Sequence, residues 1–494
     1  MSKKSELILL VAILVIAAFL RLYRIGDYMT FLGDEGRDAL VVKRMIVDHQ
    51  FKLLGPTASV GGFFLGPLYY YLMIPFLWAF RLNPVGPAVM VALFGIATVW
   101  LVYRVGNDFF DWETGLAAAF LYSLSPLVIY HSRSSWNPNL MPFFSLLIIW
   151  LSWKAVDQKK PVLLLLIGFL FGLLIQFHYL AVFLGIVIMV YFLFNWRLKN
   201  LKYYPAALIG FITGWFPFII FELRHRFPNF RTLYQFIFHG IETGLVAQKF
   251  WPIVSNVSLR LFLNIVTNNQ KMLALIFLYG SLIMLFWKIV KGKQFQAKIL
   301  LGLWFLIGVG LFGFYKKGIY DYYFGFMFPL PFLLVAYFLT QLGRLNKVLG
   351  GVAAGFYIWA VIANLRSFPF LRPPNRQMEQ AKEIALFVAQ KTGGKPFNFA
   401  LITGQNSDHT YRYFLEINGY KSITIENTQN DPERKTVTGQ LLVVCEVADC
   451  KPLGHPLWEI AGFGRAEIEG EWQISVNQIF KLKHYQGEPE NEKS

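Results

Sequence analysis

Charged residues are scarce in this chain. Asp, Glu, Lys and Arg make up 15% of its 494 residues, against about 25% in a soluble domain. With 56% hydrophobic and 18% aromatic residues, the shortfall excludes an ordinary soluble globule and a disordered chain. Cysteine is scarcer still. Cys445 and Cys450 are the only two, too few for a disulfide scaffold. Acids are rare where apolar residues are dense: residues 1–365 hold 13 acids against 31 basic residues, whereas residues 366–494 hold 16 against 15. The net charge of +17 therefore belongs to the apolar part, where Lys and Arg sit in loops and orient helices. Topology accounts for it, and no nucleic-acid partner is expected.

What the chain does have is apolar runs of membrane-spanning length. The first, Leu7 to Leu20, follows Met-Ser-Lys-Lys and ends at Arg21, Tyr23 and Arg24 with no small-residue cleavage site; it reads as an uncleaved signal anchor. Further runs lie at about 84–104, 115–131, 139–153, 161–176, 179–196, 203–222, 272–290, 298–314, 322–340 and 346–364. The expectation is about eleven spans. Segment 64–82 is aromatic and marked by Pro and Gly, and its placement decides the topology.

If 64–82 stays out of the bilayer and the N-terminus is cytoplasmic, the short inner loops carry Arg104, Lys154, Lys159, Lys160, Arg197, Lys199, Lys202, Lys288, Lys291, Lys293, Lys298, Arg344 and Lys347. The short outer turns then carry only Arg133, Lys316 and Lys317. Letting 64–82 cross would invert this bias. Segment 64–82 is therefore placed as an outer juxtamembrane or re-entrant element. Loops of about 24–83 and 223–271 and the tail, 366–494, fall outside. Long outer loops on a helical bundle fit chemistry at the outer face better than a simple channel.

The tail reads as a small soluble α/β domain. Residues 376–391 form an amphipathic helix with Ala381, Ile384, Ala385 and Val388 on one face. Strands are expected at Phe397–Ile402 and Leu441–Val447, a helix near Tyr411–Ile417, and edge strands within Glu471–Lys483. Cys445 and Cys450 are either paired in an oxidising exterior or buried thiols. The domain division is 1–365, a transmembrane catalytic domain, and 366–494, an extracytoplasmic domain.

The few acids near the membrane are informative, because charge there is costly and tends to be functional. Asp34, Glu35 and Asp38 sit in Phe31-Leu32-Gly33-Asp34-Glu35-Gly36-Arg37-Asp38-Ala39. Residues 38–47 then read as an amphipathic helix, with Leu40, Val41, Met45 and Ile46 available to face lipid. Asp34 and Asp38 share a face if the helix begins by Asp34. The bland reading is a capped interfacial helix. The chemical reading is a general base, or a pair of hard oxygens for a divalent cation. Cations and aromatics crowd the outer turns: Arg133 in His131-Ser132-Arg133-Ser134-Ser135-Trp136-Asn137-Pro138-Asn139, Lys316 and Lys317 before Tyr320 to Tyr323, and Arg224-His225-Arg226 after a span. Such groups can hold a phosphate; they also snorkel and form interfacial belts. His178 lies in a tight turn, Gln176-Phe177-His178-Tyr179, where a structural histidine is the equal alternative.

These residues resemble a known family. The Gly33-Asp34-Glu35 loop after the first span looks like the acidic first-loop motif of GT-C glycosyltransferases, in particular the protein O-mannosyltransferase and aminoarabinose transferase group. Leu65-Gly66-Pro67-Leu68-Tyr69-Tyr70-Tyr71 resembles that group's His-Pro-Pro-Leu-Tyr-Tyr segment, with Gly66 where the family usually has His. Ser125-Pro126 before Ser132-Arg133 matches its third span and second outer turn; that turn often carries an acid, and here Trp136-Asn137-Pro138-Asn139 has none. The likeness covers residues 1–200, and the rest by layout. It implies an α-helical polytopic GT-C-like fold with a small C-terminal α/β domain. It also implies transfer of one sugar from a polyprenyl-phosphate carrier to a protein, lipid or glycan acceptor on the outer face of the membrane; with no organelle signal in the sequence, a prokaryotic plasma membrane is the default expectation. Asp34 would be the base and Glu35 its helper, or the two would hold a divalent metal ion. Arg37, Asp38, Tyr69, Tyr70, Arg133, Trp136, Asn137, His178, Arg224, Lys316, Lys317 and Tyr322 would bind substrate.

Two other classes compete. A transporter or flippase of a lipid-linked or anionic substrate is disfavoured because the halves show no inverted repeat. A polysaccharide polymerase or ligase would do without the acidic base. The topology makes its own prediction: a single cysteine introduced at position 35 or 134 reacts with an impermeant thiol reagent from outside, and one at 160 does not. Labelling at 160 from outside would reverse the topology.

Overall fold

The computed structural model describes residues 2–58, 61–195, 202–239, 247–291, 294–315, 318–404 and 406–487. The chain is mostly helical, and the described residues contain one four-stranded sheet, in the tail. All eleven apolar runs fall on helices, but not on eleven long ones. Six helices are long and apolar enough to cross a membrane alone: Lys3–Leu22, Val85–Phe109, Asn137–Asp157, Lys271–Lys288, Phe295–Phe314 and Lys347–Leu365. Two bent pairs qualify when each is taken as one span, Tyr204–Gly214 with Phe216–Arg224 at 77° and Asp321–Met327 with Pro329–Gly343 at 63°. Among the described residues that makes six to eight spans rather than eleven.

The difference has local causes. Pro217 and Pro329 each stand in the first turn of a helix that restarts after a bend, because proline lacks the N–H that would continue the ladder. The 115–131 run breaks at Ser125, whose Oγ accepts from Val128 N and caps a new helix, Pro126–His131. Leu163–Leu174 has 12 residues. At 1.5 Å per residue that is about 18 Å, short of a hydrocarbon core of about 30 Å. Segment 64–82 contains the helix Leu68–Ala79, also 12 residues, with Pro75 inside it; it is equally short.

Two compact units emerge. One comprises Met1–Ile25, His49–Phe80 and Val85–Pro374; the other comprises Gly26–Asp48, Arg81–Pro84 and Asn375–Ser494. The division expected at residue 365 therefore falls elsewhere. The acidic segment after the first span groups with the tail, not with the apolar helices.

Within the apolar unit, Leu163–Leu174 and Tyr204–Gly214 cross backbone to backbone. Gly168 and Gly172 on one helix, and Gly210 and Gly214 on the other, each leave room for a partner carbonyl, of Ala207, Phe211, Leu165 and Phe169 respectively; a Cβ at any of the four would overlap it. Both helices thus carry the small-xxx-small spacing that lets membrane helices approach closely. Gln176, just beyond the crossing, donates through Nε2 to Gly214 O at 2.7 Å and to Gly172 O at 3.1 Å. That fixes the turn carrying His178.

The tail unit is close to its expected form. The Gln377–Lys391 helix buries Ala381, Ile384, Ala385 and Val388. Strands β1 (Asn398–Ile402) and β2 (Gln440–Cys445) pair in parallel, and β3 (Ala466–Ile474) and β4 (Asn477–His484) form an antiparallel hairpin, in the order β1-β2-β4-β3. β1 and β2 are buried on both faces, which is why they read as continuous apolar runs. Cys445 and Cys450 form a disulfide.

The glycine crossing makes a stability prediction. Gly210→Val drives a branched side chain into the Leu165 carbonyl. It should cost at least about 1–3 kcal/mol, the range for overpacking, and lower the midpoint of thermal unfolding in detergent. An unchanged midpoint would mean that the helices do not approach as described.

Candidate active site

The acidic residues are organised by one helix, Gly33–Val47. It begins before Asp34, so Asp34 and Asp38 do lie one turn apart on a shared face. Arg37 holds both: NH1 to Asp34 Oδ1 at 2.8 Å and NH2 to Asp38 Oδ1 at 2.8 Å. Their exposures differ sharply. Asp38 is fully buried, whereas the Asp34 side chain is 51% exposed. Glu35 is buried and turns back, its Oε2 accepting from Leu32 N at 3.0 Å. That satisfies one of the orphan donors at a helix start. Burial pushes the Glu35 carboxyl up to about 7, with the charges of Asp34 and Asp38 adding to it, against the opposing Leu32 N–H.

This helix is built into the tail unit. Gly33 N donates to Asn406 Oδ1 at 2.8 Å. A Cβ on Gly33 would collide with Ser407, and one on Gly36 with the backbone of Thr410. The two glycines of the Gly33-Asp34-Glu35-Gly36 motif are thus required by close approach to the start of the His409–Ile417 helix. Lower down, Lys43 Nζ and Arg44 NH2 grip Glu416 at 3.1 and 2.7 Å, and Phe31 packs edge-on to Tyr413 and Phe414. Leu40 and Met45, expected to face lipid, are buried instead. The same apolar stripe serves a protein surface as well as a bilayer.

Most of the other candidates lie in the apolar unit. The structure gathers several of them around one aromatic cluster. The His178 ring lies 5.9 Å from Tyr322 and 5.4 Å from Tyr323, and Trp136 lies 4.5 Å from Tyr322. Asn137 Nδ2 donates to Phe177 O at 2.6 Å. Buried Tyr69 shares a 2.8 Å hydrogen bond with Ser135 Oγ; Tyr70 is buried beside it on the Leu68–Ala79 helix. His178 is not a cation. Burial lowers it to about 3, and its Nδ1 accepts from Leu180 N at 3.2 Å, which leaves the proton on Nε2. Arg133 is buried and committed to the end of the first span, donating to Leu20 O at 2.7 Å and Tyr23 O at 2.8 Å. Arg224 stands exposed at the end of the Phe216–Arg224 helix. Lys316 and Lys317 lie outside the described residues. Asp321 is held by Arg260 and by Asn264 Nδ2, which anchors the turn carrying Tyr320 to Tyr323.

A cavity of about 410 Å³ opens in this unit, walled by Phe63, Leu65, Phe183, Trp215, Phe230 and Phe314 among others. Its lining is almost entirely apolar. The exceptions include Tyr179 and Tyr315, whose hydroxyls are bonded to each other at 2.9 Å, and Asn229. Asn229 Nδ2 donates to buried Glu222 at 2.7 Å, and its Oδ1 accepts from Phe64 N at 2.8 Å. Sequence reasoning missed Ser135, Tyr315, Glu222 and Asn229. Only the glycine pairs at 168/172 and 210/214 were a readable signal that chain segments converge here.

A profile for the dolichyl-phosphate-mannose-protein mannosyltransferase family matches residues 66–221. YkcB of Bacillus subtilis (strain 168) is 29% identical over 174 residues, which is 34% of this chain and 24% of that relative; the match spans about a quarter of its length. The crystal structure of ArnT from Cupriavidus metallidurans bound to undecaprenyl phosphate superposes with a TM-score of 0.64 at 15% identity, covering 97% of this chain and 98% of that one. The fold is that of the GT-C glycosyltransferases. The archaeal oligosaccharyltransferase AglB from Archaeoglobus fulgidus, in complex with an inhibitory peptide and a dolichol-phosphate, follows at a TM-score of 0.56 and 13% identity, covering 89% of this chain and 69% of that one. The fold inferred from the Gly33-Asp34-Glu35, Leu65–Tyr71 and Ser125-Pro126 motifs is therefore borne out. The acidic loop lies outside the stretch matched by the family profile.

The acidic helix is a poor fit to a divalent ion. Arg37 occupies Asp34 and Asp38, Glu35 caps Leu32, and among the described residues no three His, Cys, Asp or Glu side chains converge. Labelling at positions 35 and 134 also meets burial, since Glu35 and Ser134 are both inside; Asp34 and Arg224 are exposed.

The raised Glu35 carboxyl has a consequence for stability. The folded chain keeps this proton to higher pH than the unfolded chain, so it binds more protons between about 4.3, the ordinary glutamate value, and about 7. Stability therefore falls as pH rises through that window. Glu35→Gln keeps an acceptor for Leu32 N and should flatten the slope, raising the melting temperature relative to wild type above pH 7. Parallel pH profiles for the two proteins would refute a buried, proton-holding Glu35.

Proposed function

We propose that this chain is a membrane glycosyltransferase that moves one sugar from a polyprenyl-phosphate carrier to an acceptor hydroxyl on the outer face of the membrane. The observation that carries the reading is Asp34: a half-exposed carboxylate, oriented by Arg37, on the loop after the first span of a chain that follows the GT-C fold over almost its whole length. Buried Asp38 and the capping Glu35 serve to place it.

In this reading Asp34 accepts the proton of the acceptor hydroxyl. The acceptor oxygen forms a bond to the anomeric carbon as the bond from that carbon to the phosphate oxygen breaks, and the electron pair leaves with polyprenyl phosphate. A single displacement of this kind inverts the anomeric centre. The carrier's isoprenoid chain is assigned to the aromatic cavity of the apolar unit, whose volume suits part of a long apolar ligand. The phenol hydroxyls of Tyr179, Tyr315 and Tyr322 are the polar groups assigned to the carrier's phosphate or sugar, with Lys316 and Lys317 as its cationic partners. His178, being neutral, is assigned hydrogen bonding rather than charge neutralisation. Undecaprenyl phosphate bound to ArnT and dolichol-phosphate bound to AglB support the carrier class.

The test is release of polyprenyl phosphate from a panel of polyprenyl-phosphate sugars, with and without a chelator. Asp34→Asn should lower turnover at least about a hundredfold, the scale of a positioned base, while carrier binding persists. Turnover like that of wild type would remove Asp34 from the chemistry.

A further inference from the structure

The tail unit contains a second cleft, of about 620 Å³, lined by charged and apolar side chains together. One wall is the acidic helix, contributing Arg37, Leu40, Val41 and Arg44; the other is His409, Arg412 and the segment from Lys421 to Thr424. We propose that this cleft is the acceptor subsite and that it takes a neutral, hydroxyl-rich ligand, a glycan chain. The inference rests on the glycosyltransferase reading only in the word acceptor; saccharide binding by the cleft stands apart from it.

Three observations lead there. The first is charge balance. The cationic lining residues Arg37, Arg44, Arg412 and Lys421 are matched by Asp408, Glu416, Glu426 and Glu459. A site for a phosphate or a lipid headgroup would carry an excess of cations. The second is that the three arginines of the lining are held in place, Arg37 by Asp34 and Asp38, Arg44 by Glu416 and Arg412 by Asp408. Arg412 donates to Asp408 and, at 2.8 Å, to Ser422 Oγ; Arg44 NH2 holds Glu416 at 2.7 Å. Paired groups keep donors and acceptors at fixed positions without a net field, which matches the alternating hydroxyls of a sugar and repels neither sign. The third is connection to the base. Arg37 lines the cleft and bonds Asp34 at 2.8 Å, and His409, also in the lining, lies within electrostatic reach of both. A sugar hydroxyl held at the Arg37 end is thereby brought toward Asp34. A lipid acceptor would want more apolar lining than Leu40, Val41 and Ile423 supply.

The experiment uses the full-length protein in nanodiscs and a panel of neutral gluco-, manno- and galacto-configured oligosaccharides, with a sulfated oligosaccharide and an unstructured peptide as comparators. Thr424 lines the cleft and is exposed, so Thr424→Trp should fill the space without disturbing a core. Wild type is expected to bind a neutral oligosaccharide and Thr424→Trp to weaken that binding at least tenfold. Lys421→Glu, which alters charge alone, should weaken binding several-fold in a protein of unaltered melting temperature. Asp34→Asn should bind the oligosaccharide as wild type does; loss of turnover by that variant reports on the base, and binding reports on the cleft. No neutral oligosaccharide bound, preference for the sulfated comparator or the peptide, or binding indifferent to both cleft variants would each overturn the proposal.

Discussion

Two positions without side chains, Gly33 and Gly36, let the acidic helix lie against the start of the His409–Ile417 helix. Almost everything specific about this chain's acids depends on that approach. It explains why a segment next to the first span belongs to the same compact unit as residues some 370 positions later. It also sorts three carboxylates that sequence alone leaves alike. Asp38 is buried against Arg37, Glu35 is buried as a cap, and Asp34 is left half-exposed. A helix start with three acids would ordinarily be explained by capping and dipole alone. Here capping accounts for Glu35, and the Asp34 carboxylate stays half-exposed.

In the apolar unit the same economy operates on charge. Counting cations in the outer turns favours phosphate binding by Arg133 and His178, yet the folded chain spends both on its own backbone. Arg133 satisfies carbonyls at the end of the first span. His178 accepts a main-chain N–H inside an aromatic cluster. Groups near the hydrocarbon need such partners because no water is available to satisfy them. The polar groups left to line the cavity are chiefly phenols and one amide, a softer set than the sequence suggests.

The parts legible in advance were those governed by local pattern. Each of the eleven apolar runs falls on helix, in one piece or in two. The amphipathic face of Gln377–Lys391, the strand runs at β1 and β2 and the hairpin at the end all follow from periodicity. The motifs Gly33-Asp34-Glu35, Leu65–Tyr71 and Ser125-Pro126 sufficed for the fold family. What was misjudged turned on distance or on competition between environments. Leu40 and Met45 form an apolar stripe that a bilayer and a protein surface would accept equally. The span count differs because hydropathy registers neither a helix that breaks, as at Ser125, nor one that is too short, as at Leu163–Leu174. The glycine pairs at 168/172 and 210/214 were visible as spacing, but spacing does not name a partner helix.

By itself, then, the sequence determined the class of the chain, the place of its helices, the form of its tail and the fold family, since each is written in composition, in periods of two or 3.6 residues, or in short motifs. Tertiary structure alone decided which acid remains open to solvent, which cations are already engaged, and where the apolar cavity and the polar cleft lie. Those properties arise when residues remote along the chain compete for the same donors, acceptors and volume, and no local pattern records the outcome of that competition.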